Sequence, residues 1–282
     1  MIRVVTDSAA NLPPSVAREY NVQIVPLIVN IGGTGYREGI ELGTEQFYNL
    51  LPQASPVPTT SQPSPADFEA VFSRVLAAGD EVVAVTLSSE LSGTYNSAVQ
   101  AAVALGEHAP ITIVDSRSVS AGEALMVAAA ARAAKAGHSR AEITEMLGPM
   151  VDETLLIFTL ETLEYLKRGG RIGGARAFLG SILRVQPVIL IKDGRVEAGD
   201  RARNRRRAIE RLVEMPRDRF GTQPVWAGVA DAVAESDRDV LLRELQRNLN
   251  IEYLLQCEVG PVLGAHAGPG ALGVAAVPAP KI

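Results

Sequence analysis

The stretch Glu81–Tyr95, EVVAVTLSSELSGTY, contains the unit from which the fold follows. Its first part, EVVAVTL, is a short apolar run rich in valine, which predicts a buried strand. A hydroxyl-rich loop follows at Ser88–Gly93, and a helical pattern runs from Thr94 to Leu105. The expected apolar face of that helix comprises Tyr95, Ala98, Val99, Ala102 and Val103. Strands that lead into helices in this way predict a parallel sheet with helices on both faces.

The same unit recurs in the first half of the chain. Ile2–Thr6 and Ile111–Val114 are further short strand patterns, and each leads into a polar segment. The hydroxyl-rich loops of this half are Thr6–Ser8, Thr59–Ser64, Ser88–Thr94 and Asp115–Ser120. The carboxyl ends of parallel strands lie at one edge of a sheet, where ligands bind in α/β proteins. We therefore expect these loops to converge on one site.

The loop within Val57–Phe68, VPTTSQPSPADF, is the most informative of the four. Its prolines restrict the backbone, and a helix pattern begins at Ser64 or Pro65. Hydroxyl groups and free backbone N–H groups at the start of a helix form a site for an anion held by neutral donors. Taken alone, such a loop is more often an ordinary helix cap preceded by a turn, and it is the three similar loops of this half that favour a binding site.

The second half of the chain has a different pattern. Pro187–Ala198 contains a hairpin signal with a turn at Asp193-Gly194, which favours antiparallel pairing. We therefore predict an α/β fold with two domains: residues 1–153 form an α/β/α domain with a parallel sheet, and residues 154–282 form a smaller α/β domain with a mixed or antiparallel sheet. Other predicted elements are a strand at Gln23–Ile31 and helices at Glu161–Arg168, Ala175–Arg184 and Arg203–Glu214.

Composition limits the classes of function. The 282 residues carry a net charge of −5, which argues against general affinity for nucleic acid. The single cysteine, Cys257, excludes an internal disulfide, and the three histidines have no metal-binding spacing, so we predict neither a metal nor a cofactor. The chain has no phosphate-cradling GxxxxGK motif. The N-terminus lacks a signal-peptide pattern and no apolar run would span a bilayer, so we expect a cytoplasmic protein.

Two further segments are candidates for function. Gly260–Gly273, GPVLGAHAGPGALG, lets the backbone approach a ligand closely, and His266 within it offers a hydrogen bond to an anion. An exposed histidine on a glycine-rich turn is the alternative interpretation. A basic run comprises Arg201, Arg203, Arg205, Arg206, Arg207 and Arg211. Such a run is usually a solvated helix face, but Glu210 and Glu214 are too few to neutralise it, which predicts a docking surface for an acidic or phosphate-bearing partner.

Six motifs, in this order along the whole chain, resemble those of the DegV family. They are TDS at Thr6–Ser8, TTSQPS at Thr59–Ser64, LSGTY at Leu91–Tyr95, VDS at Val114–Ser116, TLEYLKRGGRI at Thr159–Ile172 and AHAGPG at Ala265–Gly270. Each motif alone is weak, but the combination is specific. The resemblance implies a DegV-like fold, in which an α/β/α domain with a parallel sheet is joined to a smaller α/β domain.

The resemblance also implies a function. Members of the family are bacterial fatty-acid-binding proteins, the lipid-carrying subunits of fatty acid kinase, and serve phospholipid synthesis. The expected partners are a long-chain fatty acid, whose carboxylate is presented for acyl-phosphate formation, and the catalytic subunit of the kinase. This chain would then not be an enzyme itself. No nucleic acid and no stable membrane insertion are expected, whereas transient contact with a membrane or an acyltransferase is allowed.

Carried over to this sequence, the resemblance assigns the carboxylate to Thr60 and Ser92, with His266 beside them. Ser61, Gly93 and Ser118, from the same loops, complete the predicted ligand-binding set. Arg171 and Arg203 match positions that work with the partner kinase, although several arginines near Arg203 would align equally well.

One rival function comes from another class. Ser92 and His266, with Asp115 or Asp7, would form the triad of a serine hydrolase that acts on acyl esters. The sequence has no GxSxG elbow, which argues against it. A DNA-binding protein that uses the arginine helix is disfavoured by the net charge and by the lack of a helix-turn-helix pattern.

Overall fold

The computed structural model describes residues 1–179 and 186–282. The strands are β1 Ile2–Asp7, β2 Gln23–Val25, β3 Ile28–Ile31, β4 Thr34–Arg37, β5 Thr59–Ser61, β6 Glu81–Thr86, β7 Ile111–Asp115, β8 Leu155–Thr159, β9 Gln186–Lys192, β10 Arg195–Ala202, β11 Val225–Asp231, β12 Ile251–Glu258 and β13 Leu272–Pro278. The α-helices are α1 Pro14–Tyr20, α2 Thr44–Leu50, α3 Pro65–Ala77, α4 Thr94–Ala104, α5 Ala121–Lys135, α6 Arg140–Glu153, α7 Glu164–Arg168, α8 Arg205–Phe220, α9 Glu235–Asn248 and α10 Pro261–Ala267. Short 3₁₀ helices lie at Ser8–Ala10, Leu51–Gln53 and Gly173–Phe178.

The first sheet is parallel and has the strand order β2-β1-β6-β7. Valines at its centre, such as Val5 opposite Ala84 and Val83 opposite Thr112, are completely buried. The sequence EVVAVT therefore reads as a continuous apolar run because both faces of its strand are covered. The loops after β6 and β7 leave the same edge of the sheet, as predicted from the strand-to-helix pattern.

The second sheet is mixed and has the order β10-β9-β8-β13-β11-β12. All neighbouring strands in it are antiparallel except β11 and β12, which are parallel. The predicted fold class, a parallel sheet together with a separate mixed sheet, is confirmed. Helix α6 ends at Glu153 and β8 begins at Leu155. We propose the boundary between residues 153 and 154 as the division between two domains.

Helix α5 joins the two sheets. It packs against β1 and β6 on one side and against β11, β12 and β13 on the other. Nearly all of its residues from Ala121 to Ala133 are buried, and most of them are alanine. Small side chains let two sheets approach one helix closely: a Cβ placed on Gly228 of β11 would lie 3.0 Å from the Cβ of Ala121. The alanine-rich sequence thus reflects burial on all sides.

A third, small sheet was not predicted. The sequence pattern predicted one strand at Gln23–Ile31, which was wrong. Pro26 interrupts it, β2 pairs parallel with β1, and β3 pairs antiparallel with β4 and β5. The segment Thr59–Ser61, predicted as loop, is strand β5 of this sheet. Proline lacks the N–H that a continuous ladder needs, so the chain changes sheets there.

Several helix limits also differ from prediction. Helix α4 buries Thr94, Ser97, Ala98 and Ala101, whereas Val103, predicted on its apolar face, is 71% exposed. Helix α7 is shorter than the predicted Glu161–Arg168. The predicted helix Ala175–Arg184 is partly a 3₁₀ helix, and its residues 180–184 lie outside the described residues. Throughout the described ranges, no helix has both the length and the apolar character needed to cross a membrane.

Candidate functional site

A cavity of about 390 Å³ lies between the carboxyl edge of the parallel sheet and the mixed sheet. Its apolar wall comes from strands, helix α10 and the loops after β6 and β7, and includes Leu87, Leu91, Val119, Phe158, Ile191 and Leu263. A volume of this size is typical of ligand pockets, which are largely apolar with a few placed polar groups. The cavity is therefore suited to an apolar ligand.

The polar groups of the cavity come from elements far apart in the sequence. Thr60 and Ser61 belong to β5, Ser92 to the loop after β6, and Ser120 to the loop after β7. His266 reaches the cavity from α10. Three of the four predicted hydroxyl-rich loops thus converge on one cavity, because strand-to-helix loops share an edge of the sheet and β5 folds over that edge.

Thr60 and His266 are in direct contact. The Thr60 Oγ1 lies 2.8 Å from Nε2 of His266, and Nδ1 of the imidazole is buried without a hydrogen-bond partner among the described residues. This nitrogen lies against Gly169, where a Cβ would come within 2.1 Å of it. Burial, reinforced by the nearby charge of Arg171, lowers the pKa of His266 to about 4. The imidazole is therefore neutral at physiological pH.

The tautomer of this neutral imidazole follows from the contacts. A proton on Nδ1 would leave a buried N–H unpaired, at a cost of about 1–3 kcal/mol. A proton on Nε2 is instead donated to the Thr60 Oγ1. The hydroxyl proton of Thr60 is then free to point into the cavity. The pair thus offers an anion an O–H donor that is polarised by a neutral imidazole.

Ser92 also lines the cavity, and Gly93 follows it in the same loop. The Ser92 hydroxyl lies 2.9 Å from the hydroxyl of Thr94 and also accepts the Thr94 backbone N–H. Gly93 is not part of the cavity wall; its Cα faces the amide group of Gln62, which would come within 2.1 Å of an added Cβ. Gln62 itself lines the cavity and donates to the hydroxyl of Ser97. The glycine therefore leaves room for a cavity residue that the sequence analysis missed.

Ser118 lies outside the cavity wall, although Val119 and Ser120 next to it contribute. Its hydroxyl rests against the backbone of Gly122 in the first turn of α5 and has no partner within the described part of the chain. Its carbonyl oxygen accepts the N–H of Ser88. Ser118 thus joins the loop after β7 to the loop after β6 and does not line the cavity with Thr60 and Ser92.

The predicted partner-docking arginines occupy different positions. Arg171 is exposed and lies at the edge of the cavity, where its guanidinium donates to the carbonyl oxygens of Leu91 and Gly169. It also borders an open polar groove that continues from the cavity along Ser92 and Gly93. Arg203 is exposed, does not line the cavity and makes no ion pair with any residue in 1–179 or 186–282.

Most of the basic run is neutralised, which corrects the prediction that its arginines are too many to be paired. The ion pairs are Arg205 with Asp237 and Glu161, Arg206 with Glu210, Arg207 with Glu210 and Glu214, and Arg211 with Asp200 and Glu214. Asp200, Asp237 and Glu161 come from other elements, so a count made along one helix missed them. Arg203 keeps its charge available to a partner.

The residues proposed for a hydrolase triad do not form one within the described structure. The Ser92 hydroxyl contacts Thr94 and not the imidazole, and no carboxylate contacts His266. Asp115 and Asp7 both accept backbone N–H groups of the strand-end loops. A triad needs a nucleophile–base contact and an acid on the second imidazole nitrogen, and both are missing here. No cluster of His, Cys, Asp and Glu in the described ranges is placed to hold a metal ion.

A buried acidic pair lies beneath the cavity and was also missed. Asp7 and Glu123 are fully buried; Asp7 accepts the N–H groups of Ala9 and Leu87, and Glu123 accepts the hydroxyl of Thr6. Burial raises the pKa of Asp7 to about 7 and that of Glu123 well above its usual value. Burial thus disfavours the charged form of both acids. In the sequence, the only signal of this buried pair is the position of Asp7 at the end of strand β1.

The chain belongs to the DegV family. A family model described as an uncharacterised protein of the DegV family matches residues 1–279. A DegV domain-containing protein from Deinococcus radiodurans is 38% identical over 280 residues, which is 98% of each chain.

Solved structures are similar as well. A DegV family protein from Thermus thermophilus, described as fatty-acid-binding, is 36% identical and superimposes with a TM-score of 0.93 over 99% of both chains. A stearic-acid-binding protein from Eubacterium ventriosum is 28% identical, with a TM-score of 0.91 over 99% of this chain and 98% of its own. The resemblance stated from the six sequence motifs is confirmed.

Proposed function

We propose that this protein binds a long-chain fatty acid in the cavity between the two sheets. The hydrocarbon chain lies along the apolar wall, and the carboxylate lies at Thr60, Ser92 and His266. The observation that carries the proposal is a largely apolar cavity in which the neutral donor pair of Thr60 and His266 and the hydroxyl of Ser92 are among the few polar lining groups. Relatives with the same fold, described as fatty-acid-binding and stearic-acid-binding, support it.

The energetics favour such a ligand. Burying about ten methylene groups contributes on the order of 8 kcal/mol, at about 0.8 kcal/mol each. Removing a carboxylate from water is costly unless hydrogen bonds replace the lost hydration. The hydroxyls of Thr60 and Ser92 supply such bonds, and the neutral His266 adds no charge that would hold the carboxylate in a tight ion pair. Most of the affinity then comes from burial of the hydrocarbon chain, and the two hydroxyls set the orientation of the carboxylate.

We extend the proposal to presentation of the carboxylate to a partner kinase. A carboxylate oxygen attacks the γ-phosphorus of ATP bound to the partner, the bond to the β-phosphate oxygen breaks, and ADP leaves with that oxygen. The product is an acyl phosphate, which burial protects from water. The open groove beside Ser92 and Arg171 supports access from outside, and the unpaired charge of Arg203 supports docking of an acidic partner. The protein is then a cytoplasmic carrier, and the catalytic groups belong to the partner.

Lipid analysis of the purified protein tests the proposal. Denaturing extraction followed by mass spectrometry should yield about one fatty acid per chain, and protein stripped of lipid should take up added oleate or stearate. Absence of bound lipid together with no uptake would overturn fatty-acid binding. Addition of a fatty acid kinase and labelled ATP then tests presentation separately. If the protein binds the lipid but the bound lipid is never phosphorylated, fatty-acid binding stands and presentation to a kinase is overturned.

A further inference from the structure

Glu38 is a buried carboxylate at the junction between the small sheet and helix α10. Its side chain is enclosed, with 6% of the residue exposed, and its Oε1 accepts the backbone N–H of Val262 at 2.8 Å. Its own N–H donates to the carbonyl oxygen of Leu27 at 2.9 Å. The residue thus contacts both the segment that carries β3 and the helix that carries His266.

Glu38 supplies the only side-chain hydrogen bond to the first turn of α10 within the described structure. Gly260, at the cap position, has no side chain, and Pro261 has no N–H. The N–H of Val262 would otherwise be a buried donor without a partner. The fit is close, because a Cβ on Gly260 would lie 2.5 Å from Oε1 of Glu38. Burial raises the pKa of Glu38 to about 7, but its Oε1 accepts the N–H of Val262 in either protonation state.

Glu38 joins the small sheet to helix α10, and the contact between Thr60 and His266 joins the same sheet and helix. On one side, Glu38 directly follows β4, and Val29 of β3 pairs with Tyr36 of β4 and with Thr60 of β5. On the other side, α10 presents Val262, Leu263, His266 and Ala267 to the cavity. The bond between Glu38 and Val262 therefore links α10 to the segment that carries β3, in addition to the apolar packing of Val262 and Ala265.

We propose that Glu38 is a positioning residue of the carboxylate site, which acts through helix α10 to keep His266 against Thr60. Without the Glu38 carboxylate, α10 loses its first-turn acceptor and the imidazole is no longer held over β5. The hydroxyl of Thr60 then loses its fixed orientation. The consequence for ligand affinity rests on the proposed function, whereas the consequence for the imidazole does not.

Two measurements on the full chain test this. The first follows His266 by NMR of ¹⁵N-histidine-labelled protein between pH 8 and 5, with His266→Gln to assign its signal among the three histidines. The second measures the affinity of lipid-free protein for oleate. The variants are Glu38→Ala, Glu38→Asp, which shortens the acceptor, and Glu38→Gln, which keeps a carbonyl oxygen for Val262. Glu142→Ala is the matched control, because Glu142 completes the N-terminal cap of α6, away from the cavity.

In wild type and in Glu142→Ala, His266 should remain neutral across the range and the oleate affinity should be the same. In Glu38→Ala or, if that variant does not fold, in Glu38→Asp, His266 should titrate near the value of a solvated histidine. Oleate affinity should fall about tenfold or more, as expected for one lost hydrogen bond to a charged group. Glu38→Gln should restore the wild-type titration. An unchanged His266 titration in Glu38→Ala, or in Glu38→Asp if the alanine variant does not fold, overturns the inference. A wild-type protein that binds no oleate overturns only the proposed function.

Discussion

His266 and Thr60, separated by 206 positions in the sequence, are joined by a 2.8 Å contact between Nε2 and Oγ1. The first residue lies on a short helix near the C-terminus and the second on an edge strand of the small sheet. Their contact closes the polar end of the cavity and gives the neutral imidazole a defined role: it orients a hydroxyl group. The following predictions test the consequences of this arrangement.

Removing the Thr60 hydroxyl should weaken fatty-acid binding. Thr60→Val keeps the shape of the side chain and loses the donor, so affinity should fall by about 1.5–3 kcal/mol, the range for a hydrogen bond to a charged group. Isothermal titration with oleate measures it. Thr59→Val is the matched control, since Thr59 is the exposed neighbour in the same strand and does not line the cavity. Equal affinity of Thr60→Val and wild type would place the carboxylate elsewhere.

Ser92→Ala should also weaken binding, and its effect should not add to that of Thr60→Val. Both hydroxyls are proposed to contact one carboxylate, and residues that share a partner are coupled. A double-mutant cycle with oleate should therefore give a coupling energy of at least about 0.5 kcal/mol. Strictly additive losses would mean that the two hydroxyls act on different parts of the ligand.

Arg203→Ala should separate docking from lipid binding. Its side chain is exposed, distant from the cavity wall and without an ion pair in the described residues, so oleate affinity should not change. The rate of kinase-dependent phosphorylation should fall, and the wild-type rate should decrease with added salt, since screening acts beyond about 10 Å at 0.1 M. Arg206→Ala is the control, because Arg206 is equally exposed but paired with Glu210. Loss of oleate affinity in Arg203→Ala would move this arginine into the lipid site.

The two glycines Gly170 and Gly173 should differ in their tolerance of a side chain. Both have positive φ, 72° and 46°, so alanine costs about 1–2 kcal/mol of conformational strain at each. A Cβ on Gly170 meets nothing within 4 Å, whereas one on Gly173 would lie 2.3 Å from the carbonyl oxygen of Val196 in the cavity wall. Chemical denaturation should therefore show an additional loss of about 1–3 kcal/mol in Gly173→Ala. Similar stabilities of the two variants would contradict the close approach of these segments.

The buried acid Asp7 should make the protein less stable as pH rises. Its pKa is raised from 3.8 to about 7 in the folded state, so folding disfavours the charged form. The stabilising contribution is present in full below about pH 4 and is lost as pH rises toward 7, by on the order of a few kcal/mol. His266 acts in the opposite sense, because its depressed pKa removes stability as pH falls from 6.5 toward 4.

Asp7→Asn isolates the first effect. The free energy of unfolding, measured in urea from pH 4 to 8, should decline less steeply with pH in Asp7→Asn than in wild type. Other ionisable groups are common to both proteins, so the difference between the two curves belongs to Asp7 and to the buried acids whose charges act on it, Glu123 and Glu38. Curves that run parallel at all pH values would show that Asp7 does not titrate in this range.

Local pattern was sufficient for much of the architecture. The run EVVAVT could only be a strand covered on both faces, and the serine and proline at Ser64-Pro65 start helix α3 with the side chain of Ser64 accepting the N–H of Asp67. Both features depend on residues adjacent in the sequence, and the periodicity of apolar residues and the chemistry of helix capping are sufficient to predict them. The prediction of one strand at Gln23–Ile31 was wrong because the chain changes its pairing partner at Pro26, from β1 to β4 and β5. Which strands pair depends on segments remote in sequence, which a local pattern does not describe.

The candidate site divides in the same way. The sequence by itself determined that the loops after β6 and β7 would meet at the carboxyl edge of a parallel sheet, because parallel strands end at the same edge. That Thr60 joins them from strand β5 of another sheet was decided by the tertiary structure. It also determined family membership, through the order of six motifs. The tertiary structure alone decided that His266 contacts Thr60, that Ser118 faces α5, that Glu38 holds α10, and that most of the arginine run is paired. Each of these depends on the distance between atoms of elements remote in sequence, and only the packing of the sheets around helix α5 sets those distances.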